Sequence, residues 1–592
     1  MIRTASAPVA ISRSSSRAPA GRPGTRRRPR GRALAAGLLA LVGALACGEG
    51  RSEGDAPGAA VEGGAADATV SSETIRAHMS TLSADSFAGR APGTEGGDMA
   101  ARYIAEQLQA AGLEPVQGSY FQPVPMVGNT PLPETARMVI EAGGTTFRPD
   151  YLDDYVLTAG DAEARSSEAR GELVFVGYGI DAPETGWNDF EGMDVAGKVL
   201  LVLVNDPPAP PEEPDLFGGR TMTYYGRWTY KYEEAARKGA AGAFVIHTTE
   251  EAGYPWSVVR GGWSGEQFAL PADPDAAPPA PVLGWFTHDL AREVLAAAGH
   301  DLDALVESAG SRDFRPVPTG VQVDAGIRSE LRTVETANVV GLVPGSERPD
   351  EVVIVTSHYD HLGVGEPVDG DSIYNGAYDN ASGTALLLAL AEAFADLPEA
   401  PARSLLFVAT AAEEQGLLGA EWYVQAPLFP LHRTVAEINV DGANLWGETD
   451  DLIAMGAERS ELGPFVERRA SEMGIRLAPD AEPEKGYFFR SDHFPFAKAG
   501  VPALYIEHGR DYRGRPEGWG DSILADYTAN RYHAPGDEYS DDFVLDGATQ
   551  QARLVFLTAL DIAESDGFPN WNQGSEFRAA RDRTLSEAGA GG

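Results

Sequence analysis

From Thr74 onward the apolar positions recur at helical spacing, and Met99, Tyr103, Ile104, Leu108 and Ala111 fall on roughly one face of a helix that Gly112 closes. Strand-like runs follow at Arg137–Ile140, Glu172–Val176 and Val199–Leu203, then a Pro-rich turn region over 207–214. Tyr232–Lys238 reads as a helix feeding the strand Ala243–Ile246. The rhythm changes at Asn338. Strands are predicted at Val352–Thr356, Leu405–Thr410, Ile438–Val440, Leu452–Met455 and Ala503–Ile506. Helices are predicted at Ser382–Phe394, Gly416–Gln425, Leu462–Met473, Asp492–Ala499 and Asp546–Glu564. Such alternation predicts an α/β fold with helices on both faces of a sheet. The unbroken apolar runs Val352–Val355 and Leu405–Val408 are those of strands buried on both sides, as in parallel sheets.

The chain begins differently. Nine Arg and no acidic residue precede Cys47, and Ala33–Ala46 is an uninterrupted stretch of Ala, Leu, Gly and Val. That stretch is shorter than the ~20 residues a spanning helix needs. It has the form of a secretory signal over 1–46. Cys47 follows Ala44-Leu45-Ala46, where a lipoprotein signal places the residue to be acylated, so export to a bacterial periplasm or cell envelope with a lipid anchor at Cys47 is expected; a plainly secreted form is the alternative. Residues 47–70 read as a flexible tether.

Charge and cysteine narrow the chemistry. With 47 basic against 88 acidic residues the net charge is -41, which argues against nucleic acid as a partner because that binding rests on neutralising phosphates. A single cysteine excludes a disulfide framework and a thiolate metal site.

In an open α/β sheet, ligands bind beyond the carboxyl ends of the strands. There this sequence places His358-Tyr359-Asp360-His361, Asp379-Asn380, Glu413-Glu414 and Asp441, with Tyr532-His533 in a loop further on. Each alone is an ordinary cap or turn residue. Together they pose an electrostatic problem, because two carboxylates ~4 Å apart repel by roughly 4 kcal/mol at an effective dielectric of ~20. No Lys adjoins these motifs, and Arg490 and Arg531 are the only basic residues near them in sequence. Two divalent cations with His358 and His533 as imidazole ligands would balance the charge; zinc suits such donors best, with cobalt or manganese as substitutes. His358 and Asp360 face the same way from a strand end, so Asp360 is expected to hydrogen bond the far nitrogen of His358. Adjacent Glu413 and Glu414 cannot both reach one cation from extended backbone. One is therefore a ligand, and the other is free as a general base.

These motifs, in the order His, Asp, Glu-Glu, Asp, His, resemble those of the M28 family of co-catalytic zinc aminopeptidases and carboxypeptidases with an inserted protease-associated (PA) domain. The resemblance extends to Gly89–Thr94 as an opening segment and to Gly177-Tyr178-Gly179 and 232–247 in the insert. It implies a zinc exopeptidase-like fold: a mixed, mostly parallel sheet sandwiched by helices, with a smaller β-rich insert. The implied plan is a peptidase domain in two segments, 71–134 and 323–568, split by a PA-like insert at 135–322 and followed by a loose tail at 569–592. The resemblance implies two zinc ions, His358 and Asp441 holding one, Glu414 and His533 the other, and Asp379 bridging. It makes Glu413 the general base, Asp360 the partner of His358, and Tyr532 an oxyanion donor. Ser491-Asp492-His493 resembles a loop beside the substrate pocket, which makes Asp492 and Arg490 substrate-binding candidates; His361 and His493 lie outside the implied ligand set. Gly442 departs from the pattern, since a larger apolar residue often follows the metal-binding Asp. The implied activity is release of N-terminal residues from peptides. Alternatives are a carboxypeptidase or dipeptidase using Arg490 to hold a carboxylate, a glutaminyl cyclase-like transferase, and a non-catalytic receptor-like homologue.

Overall fold

The computed structural model describes residues 70–590 apart from 273–276. The export signal, Cys47 and nearly all of the tether expected from the sequence lie outside the described residues. Among those residues, no helix is long and apolar enough to cross a membrane.

The alternating half builds the sheet it predicts. Arg348–His358 and Arg403–Thr410 are parallel neighbours, and Thr434–Asn439 and Ala503–His508 continue the parallel run. Asp451–Met455 joins antiparallel to Ala503–His508, and Arg476–Ala478 closes that edge. Successive side chains leave a strand on opposite faces, which explains the continuous apolar runs. Val353, Val355, Leu405 and Phe407 pack under the helices Gly383–Ala395 and Asp546–Glu564, where the tilted rings of Phe394 and Phe556 lie 4.3 Å apart. Val352, Ile354, Leu406 and Val408 pack with Tyr423 of Leu418–Gln425 and Phe496 of His493–Lys498 on the other face.

The division at 322/323 does not coincide with a break in the backbone. Val317–Val343 is one 27-residue strand. Its first stretch pairs with Ser166–Phe175 and Arg137–Ala142, its middle with Phe121–Pro131, and its end with Arg403–Thr410. A single hydrogen-bonded ladder thus carries the sheet from one half of the molecule into the other. Within residues 135–322, Ser166–Phe175, Val199–Leu203, Gly242–His247 and Val282–Thr287 form a second parallel run, edged by antiparallel Tyr155–Ala159. The helix Trp228–Arg237 accompanies these strands.

The tail is not loose where it is described. Trp571 is fully buried and donates from its indole to the Gly500 carbonyl at 2.9 Å. Arg581 of the helix Arg578–Ala590 is buried too and donates to the Thr434 and Val435 carbonyls. Phe488, Trp571 and Phe577 share one aromatic cluster, so the segment is held by apolar burial that its polar composition conceals.

Candidate metal centre

The site forms where the parallel strands end. His358 is the last residue of its strand, Glu413 and Glu414 follow Thr410 by three and four positions, and Asp441 follows Asn439 by two. Asp379 lies in the turn leading into Gly383–Ala395. His533 arrives on a loop after the helix Trp519–Asn530, an element the sequence pattern does not reveal.

These side chains converge. Nε2 of His358 lies 3.1 Å from Oδ1 of Asp441 and 3.4 Å from Oδ1 of Asp379. Nε2 of His533 lies 3.3 Å from the other Asp379 oxygen and 3.1 Å from Oε2 of Glu414. Asp379 therefore turns one oxygen toward each imidazole. Glu413 reaches to 4.0 Å from Nε2 of His358, so the two adjacent glutamates address different halves of the cluster. Ala412, at φ 57, makes the turn that separates them from the strand.

Electrostatics and donor chemistry both fit divalent cations. The ligand atoms of His358, Asp379 and Asp441 lie within 4.8 Å of one another, as do those of His361, Asp379 and Glu414. Burial alone would push His358 down, but Asp441, Glu413 and Asp379 hold it well above the ordinary imidazole range. Burial likewise opposes charge on His533, yet its bonds to Asp379 and Glu414 raise it to about 10. Carboxylates that favour positive charge this strongly, with nitrogen and oxygen donors only, suit zinc.

Two positions differ from expectation. The Asp360 carboxylate is 3.8 Å from Nδ1 of His358, whose nearest partner is instead the Asp360 carbonyl at 3.2 Å. The carboxylate accepts from the Glu413 and Glu414 amides at 3.0 and 3.3 Å, so it shapes the Glu-Glu turn while its backbone orients the histidine. Asp492 is fully buried and accepts from the Thr410 hydroxyl; burial raises it to about 7, and it has no face open to a substrate. Arg490 is exposed, donates to the Lys485 carbonyl and stacks over Tyr487. Tyr532 stands at the mouth, 49% exposed, with its ring stacked on His533 at 3.9 Å.

Sequence reasoning leaves three contributors without a role. His361 is fully buried, its Nδ1 donates to Glu414 at 2.6 Å, and its Nε2 has no partner. Asp537 accepts from the Tyr378 and Asp379 amides and from the Tyr527 hydroxyl, holding the turn that aims Asp379. Arg90, fully buried, donates to the carbonyls of Leu82, Tyr359, Asn375 and Gly376 beneath the site. Burial pushes it down to about 10 while Asp537, Asp360, Asp379 and Glu414 oppose that, so it stays a cation at neutral pH. Gly442 has a reason as well: at φ 85, a Cβ there would meet the Tyr378 ring at 2.9 Å. Arg90 and Asp537 are visible in the sequence only as local motifs, because their partners lie far away along the chain.

Residues 338–558, which carry every ligand candidate, match the model of Peptidase family M28. This segment is similar to peptidase family M28. The chain is similar to curated proteins of several kinds. A probable zinc metalloprotease of Pyricularia oryzae is 38% identical over 163 residues, covering 27% of this chain and 29% of that protein. A glutamate carboxypeptidase 2 homolog of Caenorhabditis elegans is 23% identical over 511 residues, covering 74% and 60% respectively. The chain thus spans less than two thirds of the length of these curated relatives. Among solved structures, an aminopeptidase from Aneurinibacillus sp. strain AM-1 aligns over 84% of this chain and 96% of its own, at 19% identity and a TM-score of 0.46.

Proposed function

We propose that this protein is an exported di-zinc exopeptidase of the M28 family, acting as an aminopeptidase on peptides. The observation that carries the reading is the division of the cluster by Asp379, one oxygen toward His358 and the other toward His533. Asp379 is thereby suited to bridge two cations, with His358 and Asp441 on one side and Glu414 and His533 on the other. Bound zinc would supply Lewis acidity and a water of lowered pKa. Glu413 is the general base. Burial, with Asp441 and Glu414 adding to it against the pull of His358, raises Glu413 well above the usual carboxylate range, which strengthens it as a proton acceptor. Tyr532, at the open edge, donates its hydroxyl to the oxyanion that forms when the scissile carbonyl is attacked.

A carboxypeptidase reading is favoured by one observation. Arg490 is exposed and adjoins Ser491, whose hydroxyl lies 2.7 Å from Asp441, so its guanidinium would suit a substrate carboxylate. The insert is tied to the segment bearing Ser491 by the Met222 N–H donating to the Pro483 carbonyl and by Arg220–Glu484 and Lys498–Glu233 pairs, which supports a PA-like role in substrate selection. Aminoacyl nitroanilides assayed beside peptides with a blocked N-terminus separate the two readings. Cleavage of the blocked peptides alone would remove the aminopeptidase proposal. Lipid attachment is tested by Cys47→Ser, which should release the protein from the membrane fraction.

A further inference from the structure

Behind Asp441, on the side away from His358, lies a string of buried polar side chains that the proposed chemistry does not use. Ser491 Oγ is 2.7 Å from Oδ2 of Asp441, Asn439 Nδ2 is 2.7 Å from Ser491 Oγ, and Thr356 Oγ1 is 2.7 Å from Asn439 Oδ1. Thr356 Oγ1 is also 2.5 Å from Oε1 of Glu437. Glu437, Asn439 and Thr356 are fully buried, and Ser491 is 3% exposed.

The donor inventory fixes the direction of every bond in this string. Asp441, as a ligand carboxylate, only accepts, so the single Ser491 proton goes to it. Ser491 must then accept from Asn439, which places the amide nitrogen toward Ser491 and the amide oxygen toward Thr356. The single Thr356 proton therefore goes to Asn439. Nothing remains to fill the short contact between Thr356 and Glu437 unless Glu437 carries the proton. Two unprotonated oxygens at that distance would repel. The other Glu437 oxygen, Oε2, is buried without a partner, which a neutral carbonyl oxygen tolerates far better than half of a carboxylate charge.

We infer that Glu437 is a neutral, protonated positioning residue that, through Thr356, Asn439 and Ser491, holds a hydrogen-bond donor on the metal-ligand carboxylate of Asp441. If Glu437 were ionised, Thr356 would turn to it, the Asn439 amide would reverse, and Ser491 would be drawn from Asp441 to the amide oxygen. The neutral acid thus locks the string in the direction that leaves Oδ1 of Asp441 for the cation. This inference rests on reading Asp441 as a ligand, and its test does not depend on peptidase activity.

The test uses the full chain. The infrared difference between wild type and Glu437→Gln at neutral pH should show loss of the carbonyl band of an un-ionised carboxylic acid; loss of carboxylate bands instead overturns the inference. Glu437→Gln retains a donor to Thr356 and should leave zinc affinity, measured by competition with a chelator, unchanged. Thr356→Val cuts the string and should weaken zinc binding roughly 10–100-fold, the range typical of lost partners behind metal ligands. Unaltered affinity in Thr356→Val also overturns it. Should Thr356→Val fail to fold, the isosteric Glu437→Gln comparison decides alone. A wild-type chain that binds zinc and shows the acid band but cleaves no peptide would refute the proposed function and leave this inference standing.

Discussion

Asp537 holds Asp379 by its backbone: one Asp537 oxygen accepts from the Asp379 amide at 3.0 Å, while both Asp379 oxygens stay free to face His358 and His533. A side chain that grips the main chain of a ligand controls its direction without competing for its oxygens. Asp537→Ala is therefore expected to lower zinc affinity by roughly 10–100-fold and to lower peptide turnover with it. Chelator competition and turnover at saturating zinc measure the two effects, and a variant with normal affinity would show that the turn aims itself.

Glu413→Gln is expected to behave in the opposite manner. The amide preserves size but takes no proton, so turnover should fall by roughly 10²–10⁴-fold, the usual worth of a general base. Zinc content by elemental analysis should match wild type. Unchanged turnover would take Glu413 out of the chemistry.

Arg90 concerns stability. Arg90→Met would strip four buried carbonyls of their donor and remove the cation beneath the acidic cluster. At about 1–3 kcal/mol for each acceptor left unsatisfied, a loss of at least about 3 kcal/mol is expected by denaturant unfolding.

Trp571→Ala tests the docked tail. Truncating a fully buried Trp typically costs about 3–5 kcal/mol, so a clear fall in melting temperature is expected. A change near zero would mean that the tail contributes nothing to the fold.

Acid sensitivity should arise in part from His508. Burial pushes its ring down to about 4 from 6.5, against the opposing pull of the Gly509 carbonyl 3.1 Å from Nδ1, so the ring is neutral in the fold with Nε2 2.9 Å from the Tyr378 hydroxyl. Between those values the unfolded chain binds the extra proton. Stability from this group is thus present above pH 6.5 and lost as pH falls toward 4. Denaturant midpoints measured across that window should decline in wild type, and less steeply in His508→Gln.

Much of the site is legible in the sequence because its chemistry is written locally. The apolar runs ending at Thr356, Thr410 and Val440 announce strand ends, and acidic and imidazole groups just beyond them point to a crevice. What is not legible depends on distant contacts. Spacing alone pairs the Asp360 carboxylate with His358, whereas the backbone turn at Ala412 brings two amides closer to it. Asp492 sits in a sequence motif beside the pocket, but the packing of His493–Lys498 against the sheet buries it.

By itself, the sequence determined the α/β alternation, the faces of its strands and the set of nitrogen and oxygen donors, because periodicity and side-chain chemistry are properties of neighbouring residues. The tertiary structure alone decided that Arg90 lies under Tyr359, that His361 joins Glu414, and that Val317–Val343 carries one sheet across both halves of the molecule. Those relationships join residues tens to hundreds of positions apart. They exist only once hydrophobic burial has closed the chain, and a buried charge or backbone carbonyl must then find its partner wherever the fold has placed one.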